Sequence, residues 1–480
     1  MSDASMSDAS TTPASARIVV CGAGIAGIAA AYHLAVVHGC RNVVLVETGD
    51  PLSLTSDKSP EAYRNWWPGP DRAMTAFMNR SIDLLEGIAR ETGNRINLNR
   101  RGYLFASADQ AKIAWLQEMA GRAAEHGAGP VRLHDGGLHD GSHAGNPAGA
   151  EAYVPAPDEG FETPLTGADI ITDQRLIRRH FPYLAAETCV VAHARRAGWL
   201  SAQQLGMVML ERARAAGVRL VRGHLIGADT PAGRLSAVHL DQAGRLETLA
   251  ATHLVLAAGP MLKAVAGALG IELPVLAERH LKISLSDSLG LVSRAAPMVI
   301  WLDAQKLPWS PDERAMLAAD DAMRWLTGTF PAGVHGRPDG HGQATTLLVL
   351  FNHHNAPADV VFPLPEDPHY GEIALRGFST MVPAMRTYAE KGVRPVVDGG
   401  YYVKTRENRP LIGPSPVEGI YISGAYSGFG IMAACAGGDL IARHVVGAGL
   451  PDYAPAFMLT RYADPDYQAL LASWGDGGQL

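Results

Sequence analysis

The stretch RIVVCGAGIAGIAAAYHLAVVHGCRNVVLVE, from Arg17 to Glu47, constrains this chain more than any other. RIVVC is a short β-branched run, the pattern of a buried parallel strand. GAGIAG follows at once and sets Gly22, Gly24 and Gly27 in G-x-G-x-x-G spacing. A helix is expected from about Ile25 to His38, stopped by Gly39. NVVLVE (Asn42–Glu47) then reads as a second buried strand. Together these pieces fill the roughly 30 residues of a βαβ unit.

Each glycine has a physical reason. Gly22 lets the chain turn sharply, Gly24 lets the backbone approach a pyrophosphate, and Gly27 lets helix and strand pack closely. Ile25 and Ala26 open the helix, where free N–H groups and the positive dipole end face the phosphates. Glu47 ends the second strand, 20 residues past Gly27, with Thr48 beside it. A carboxylate there accepts hydrogen bonds from the ribose hydroxyls of an adenosine and repels a 2′-phosphate. NADP is disfavoured; FAD and NAD both remain open at this point.

At 480 residues the chain is too long for one core, so two or three domains are expected. A formal charge of −7 without a basic stripe argues against nucleic acid. The four cysteines lack CxxC or metal spacing, so no metal site is expected and a reducing cytoplasm suits them. The start, MSDASMSDASTTPASA, has neither a basic nor an apolar region, so residues 1–16 read as a disordered leader. Residues 18–37 are nearly uncharged, but their glycines and the following strand favour a buried unit over a membrane span.

Three later stretches extend the pattern. HLVLAAGP (His253–Pro260) is a buried strand running into Ala258 and Gly259. Before it, AGWLSAQQLGMVMLERARAAG predicts a helix capped by Ser201, with Gln204 closing a capping box and Gly217 ending it. Leu205, Val208 and Met209 form its buried face. Near the C-terminus GIYISGAYSGFGIM is a strand, a turn and a small-residue helix. Gly424, Ser427, Gly428, Phe429, Gly430 and Ile431 lie where that turn approaches a ligand and its helix end stabilises negative charge.

In this order the stretches resemble the D-amino-acid oxidase/glycine oxidase/sarcosine oxidase superfamily of FAD-dependent oxidoreductases. The most specific piece is TRENRPLIGPSPVEGIYISGAYSGFGIM, and the resemblance covers about Arg17 to Val446. It implies an α/β fold with a Rossmann-like FAD-binding domain built from discontinuous segments, 17–101, 194–270 and 396–447. It also implies an α+β substrate domain with a mixed sheet over 102–193 and 271–395. The tail, 448–480, is expected to pack on the domain or on a partner subunit of a homo-oligomer. Thr55, Ser56, Lys58 and Ser59 are placed, by resemblance, to hold the pyrophosphate and flavin. Some relatives attach FAD through a cysteine before the motif, and others through a histidine after the second strand. Here those regions read GGYYVKT (Gly399–Thr405) and LSLTSDKSPEAYRNWWPG, so noncovalent FAD is expected.

The implied activity is oxidation of an amine or amino acid. Hydride passes from the neutral amine's α-carbon to the flavin, giving an imine that water hydrolyses, with O2 or another electron acceptor as the oxidant. Relatives carry a substrate-binding lysine just after the glycine turn; Ile431 and Met432 stand there instead. A buried carboxylate needs a cation, so either another cation does the job, the candidates being Arg64, His280, Lys282 and Lys404, or the substrate is not a simple amino acid. Arg64 matches an arginine beside the flavin in the sarcosine-oxidase branch. His280 or Lys282 is expected to point inward, depending on register. His353 and His354 of LFNHHN are weighed as cavity residues against a structural role, and Trp66 and Trp67 as pocket wall against core. HGAGPVRLHDGGLHDGSHAGNPAGAEAYVPAP lacks periodicity and reads as a long loop, and FPAGVHGRPDGHGQ as a shorter one whose histidines are solvated rather than metal-binding. The alternatives are a 2-hydroxy-acid dehydrogenase using His280 or His353 as base, a noncatalytic FAD-carrying subunit, and an NAD-dependent dehydrogenase.

Overall fold

Ile18–Cys21 and Val43–Glu47 pair in parallel, Ile18 against Val43 through Cys21 against Val46, and the first strand is buried throughout. The computed structural model describes residues 18–136, 152–340, 342–354 and 356–473; the leader lies outside them. The connecting helix Ile25–Tyr32 continues as one wider turn over His33–Val37. Gly39 then takes the left-handed conformation at φ +65°. Across the sheet the strand order is Leu411–Pro414, Ile420–Gly424, His253–Leu256, Ile18–Cys21, Val43–Glu47, Arg219–Arg222. The first pair is antiparallel and the rest parallel, a doubly wound arrangement.

Close packing holds the helices to this sheet. A Cβ on Gly27 would stand 1.8 Å from the Gly22 carbonyl oxygen. The helix Gly430–Val446 crosses Ile25–Tyr32 so tightly that a Cβ on Gly438 would meet the Ala29 carbonyl at 2.7 Å. Ser427–Val446 is long and apolar enough to cross a membrane, yet 78% of that window is buried within the protein, as a core helix is.

A nine-stranded mixed sheet forms the second layer. Its order is Val396–Lys404, Leu276–Ser286, Thr346–Leu350, His335–Pro338, Met298–Trp301, Tyr103–Ser107, Val190–Ala194, Ala168–Ile171, Val131–His134. Leu281, Ile283 and Leu285 on one face pack with Ile373 and Phe378 of the helix Tyr370–Met381. The period of two puts Glu278, His280 and Lys282 on the opposite face.

Several expectations change here. Val396–Lys404, grouped by sequence with the FAD domain, is the edge strand of the nine-stranded sheet. Both stretches read as loops contain a strand, Val131–His134 and His335–Pro338. Glycine and proline hid the second one. Gly336 is needed there for space, since its Cβ would lie 2.7 Å from the Leu348 carbonyl oxygen, and Pro338 ends the strand. The capping box is half present: Ser201 Oγ accepts the Gln204 N–H at 3.3 Å. The Ser201 N–H already serves the Ile96 carbonyl, and Glu61 accepts the Ala202 N–H at 3.0 Å, so Gln204 has no amide left to close on.

Candidate active site

The opening βαβ unit builds one wall of a long cleft. At one end stand Glu47, Thr48 and His224; the middle is Gly22–Ala26 facing Ser53–Ser56; the far end is Tyr401–Val403 with the turn from Ser423 to Ile431. Glu47 sits where its strand delivers it. Its two carboxylate oxygens accept the Ala23 N–H at 2.7 Å and the Gly49 N–H at 2.9 Å, with the Thr48 hydroxyl at 3.0 Å. Oε1 takes the Gly49 and Thr48 donors, and Oε2, which takes only Ala23, keeps a lone-pair direction for a further donor. Ser56 Oγ accepts the Ile25 N–H at 3.0 Å, so the short helix Thr55–Lys58 meets the helix N-terminus across the cleft. Over Gly24 there is room, a Cβ coming no nearer than 3.4 Å to Ser56 Oγ. An extended anionic dinucleotide fits this cradle: a carboxylate at the sugar end, a helix N-terminus and hydroxyls in the middle, and a second helix N-terminus at the far end.

The glycine turn achieves its close approach unexpectedly. The left-handed residues are Ala425 (φ +55°) and Ser427 (φ +50°) rather than the glycines. The glycines supply space instead: a Cβ on Gly424 would meet Leu262 at 2.4 Å, and one on Gly428 would meet the Tyr402 ring at 2.6 Å.

Of the expected cofactor residues, Ser59, Ala258, Gly259, Gly428 and Gly430 line the cleft as well. Two differ. Lys58 Nζ pairs with Asp57 at 2.8 Å and Asp398 at 3.1 Å, because the Val396–Lys404 strand brings Asp398 beside it. Phe429 leaves the cleft wall and packs edge-on to Trp67, ring centroids 5.1 Å apart.

A second, smaller cavity of about 70 Å³ lies past Tyr402 and Gly428, which line both spaces. Its floor is one face of the nine-stranded sheet. Tyr103 pairs with Met298, and Ile300 with His335, so these side chains share that face. Phe429 and Met432 cover it, and Arg64 closes one side from the short strand Ala62–Arg64.

Arg64 is the only one of the four candidate cations that lines this cavity. Its guanidinium lies 4.7 Å from the Trp67 ring centroid and 5.4 Å from that of Tyr103, and Nε donates to the Trp66 carbonyl at 3.3 Å. Burial lowers its pKa, and among the described residues no carboxylate pairs with it. The other three are committed. His280 Nε2 and Lys404 Nζ meet on Glu278, at 3.1 and 3.0 Å. Lys282 Nζ lies 3.4 Å from the Asp57 carbonyl and 3.5 Å from that of Ser59. Burial lowers its pKa, against the pull of Asp398, Glu61 and Asp57. His280 and Lys282 are two residues apart and share a face, so register never chose between them. His353 and His354 line a different cavity, beside Arg279, Leu281 and Tyr370, on the other face of the sheet.

Sequence reasoning missed His335, which lines the small cavity. Its Nδ1 lies 2.8 Å from the Gly333 carbonyl oxygen. Burial, with the nearby Arg64 charge, pushes its pKa down to about 4. The surrounding VHGRPDG carries no strand period that marks it.

Comparison with known proteins agrees with this geometry. The family profile "FAD dependent oxidoreductase" (DAO) matches residues 17–444. The β subunit of sarcosine oxidase from Rhodobacter capsulatus is 24% identical over 260 residues, 54% of this chain and 53% of that one, so the chain spans about half the length of this curated relative. Among solved structures, L-proline dehydrogenase from P. horikoshii superposes with a TM-score of 0.69 at 17% identity, covering 94% of this chain and 99% of that one. Glycine oxidase from Geobacillus kaustophilus gives 0.67 at 17% identity, covering 92% and 98%. A dinucleotide cleft opening at its far end onto a sheet-floored cavity is thus accounted for by ancestry: the chain belongs to the DAO family of FAD-dependent oxidoreductases.

Proposed function

We propose that this chain oxidises the C–N bond of a small amino acid or carboxylate-bearing amine. The observation that carries the reading is Arg64, a buried cation in the cavity with no acidic partner among the described residues. A buried charge without a partner is costly unless a ligand supplies one. A substrate carboxylate supplies it, with the bidentate geometry that guanidinium favours. The relatives above are named for sarcosine, proline and glycine, each a small amino acid.

Bound FAD supplies acceptance of a hydride. The residues of this chain do the rest. Arg64 fixes the carboxylate end and so orients the α C–H. Met298, Ile300, Phe429 and Met432 make the cavity apolar and exclude water. The N-terminus of Gly430–Val446 points positive dipole at the end of the cleft where Tyr402 and Gly428 stand. Noncovalent attachment is supported at Cys21, the cysteine that lines the cleft, because burial and Glu47 push its thiol up to about 12 and keep it protonated.

The test is anaerobic mixing of FAD-loaded protein with N-methylglycine, glycine, D- and L-proline and 2-hydroxy acids. Loss of the yellow absorbance with an amine, and imine-derived carbonyl product, is the expected result. Bleaching by hydroxy acids alone makes the chain a hydroxy-acid dehydrogenase; bleaching by none makes it an FAD-carrying subunit.

A further inference from the structure

We propose that His335 holds the substrate's nitrogen, its Nε2 accepting an amine N–H while Arg64 holds the carboxylate, so that the cavity selects amines bearing at least one N–H. The inference rests on the amine reading above. It begins from the tautomer. A carbonyl oxygen can only accept, so the 2.8 Å contact with Gly333 requires the proton on Nδ1. Nε2 is left with a lone pair. Among the described residues no donor reaches it, and its ring is part of the cavity lining.

The surroundings keep that lone pair available. His335 is on the strand His335–Pro338, clamped between Met298–Trp301 and Thr346–Leu350, so its direction is set by sheet register. The Arg64 charge and burial both disfavour the imidazolium. A neutral imidazole of such low basicity does not take a proton from an ammonium ion. It accepts a hydrogen bond from an amine already neutral, the form whose lone pair assists hydride loss. Arg64 and His335 thus offer complementary chemistry: a fixed cation for the carboxylate and a fixed neutral acceptor for the nitrogen. Two anchors orient the α C–H, where one would leave it free to rotate. A tertiary amine or an ether can satisfy Arg64 but leaves the His335 lone pair unmet.

The experiment compares FAD-loaded wild type with His335→Phe, which lacks the acceptor, and His335→Gln, whose carbonyl can replace it. The probes are N-methylglycine and proline, which carry N–H, and their ether analogues methoxyacetate and tetrahydrofuran-2-carboxylate, which do not. Ether binding is read from perturbation of the visible spectrum; amine binding from the concentration dependence of anaerobic bleaching. In His335→Phe the amines should bind about tenfold more weakly, the effect of one lost hydrogen bond. The ethers should bind within about twofold of wild type, and His335→Gln should recover much of the amine affinity. Equal weakening of amines and ethers in both variants would show a shape role only and overturn the proposal. So would wild-type amine binding in His335→Phe, with the amine reading intact. If no amine bleaches the wild type, the amine reading itself falls and takes this inference with it.

Discussion

The His280 ring lies flat against Tyr402, centroids 4.0 Å apart and planes 18° from parallel. Tyr402 divides the cofactor cleft from the smaller cavity, so the group behind it sets where that partition stands. His280 is in turn held by Glu278, which also takes Lys404. Two residues that sequence nominated as catalytic are thus joined as a support for a third.

Glu278→Gln should test that support. The carboxylate's partners hold its pKa below the usual range, against burial. Its contribution is therefore present at neutral pH and fades as pH falls below about 4.5, the ordinary glutamate value. The variant should lose about 1–3 kcal/mol at pH 7, the worth of hydrogen bonds to a charged group. Thermal melts at pH 7 and pH 4 check this: the gap between wild type and variant should narrow at the lower pH.

Gly24→Ala and Gly27→Ala should fail differently. The Gly27 Cβ would overlap the Gly22 carbonyl, so that variant should not fold stably. The Gly24 Cβ enters open cleft space near Ser56. That variant should melt within a few degrees of wild-type apoprotein yet bind FAD at least about tenfold more weakly, as the backbone can no longer reach the pyrophosphate. Flavin fluorescence titration separates the two outcomes.

Glu47→Gln replaces an anionic acceptor of two backbone N–H groups with a neutral amide. FAD affinity should fall by roughly thirtyfold or more, given about 2 kcal/mol for a hydrogen bond to a charged group. Equilibrium dialysis measures it.

Arg64→Met removes a buried cation that has no acidic partner among the described residues. Stability should hold or rise, since an apolar chain of similar length fits such a site at no desolvation cost. Binding of methoxyacetate should weaken about a hundredfold, the loss of a bidentate charged contact. Spectral titration of the FAD-loaded variant reads the affinity and a melt reads the stability.

Acid should destabilise the fold from about pH 6.5 downward, through buried histidines. Burial lowers His33 to about 4, His193 to about 3 and His335 to about 4. Below pH 6.5 the unfolded chain binds protons at these residues and the folded chain does not. Stability is therefore full above that value and declines toward pH 4, by about 1.4 kcal/mol per pH unit for each histidine. His33 has both ring nitrogens buried without hydrogen-bond partners. His33→Leu should flatten the slope of melting temperature against pH between 6.5 and 4.5.

Much of the cofactor cleft was legible in one dimension. Strand, glycine turn, helix and acid lie within 31 residues from Arg17 to Glu47, and chain connectivity alone brings them together. Their spacing is a local geometric requirement, so it is written in local sequence. The late turn was legible for the same reason, although its left-handed residues proved to be Ala425 and Ser427.

The smaller cavity was not legible in that way. Tyr103, Met298, His335 and Tyr402 come from separate segments that the nine-stranded sheet brings onto one cavity, and Arg64 reaches it from the short strand Ala62–Arg64. Sequence could name four cations but could not tell that Asp57, Ser59 and Glu278 would occupy three of them: the partners of Lys282 and Lys404 arrive from distant segments, and Glu278, although two residues from His280, could as well have faced solvent. Nor could it see a strand in VHGRPDG, where a glycine is present for a neighbour's carbonyl and a proline for the strand's end. The amino-acid order alone determined what the chain can hold, because the strand, glycine turn, helix and acid of the opening unit are fixed by local spacing. Tertiary structure decided which side chains line the smaller cavity, because burial and cross-strand alignment are properties of the whole fold.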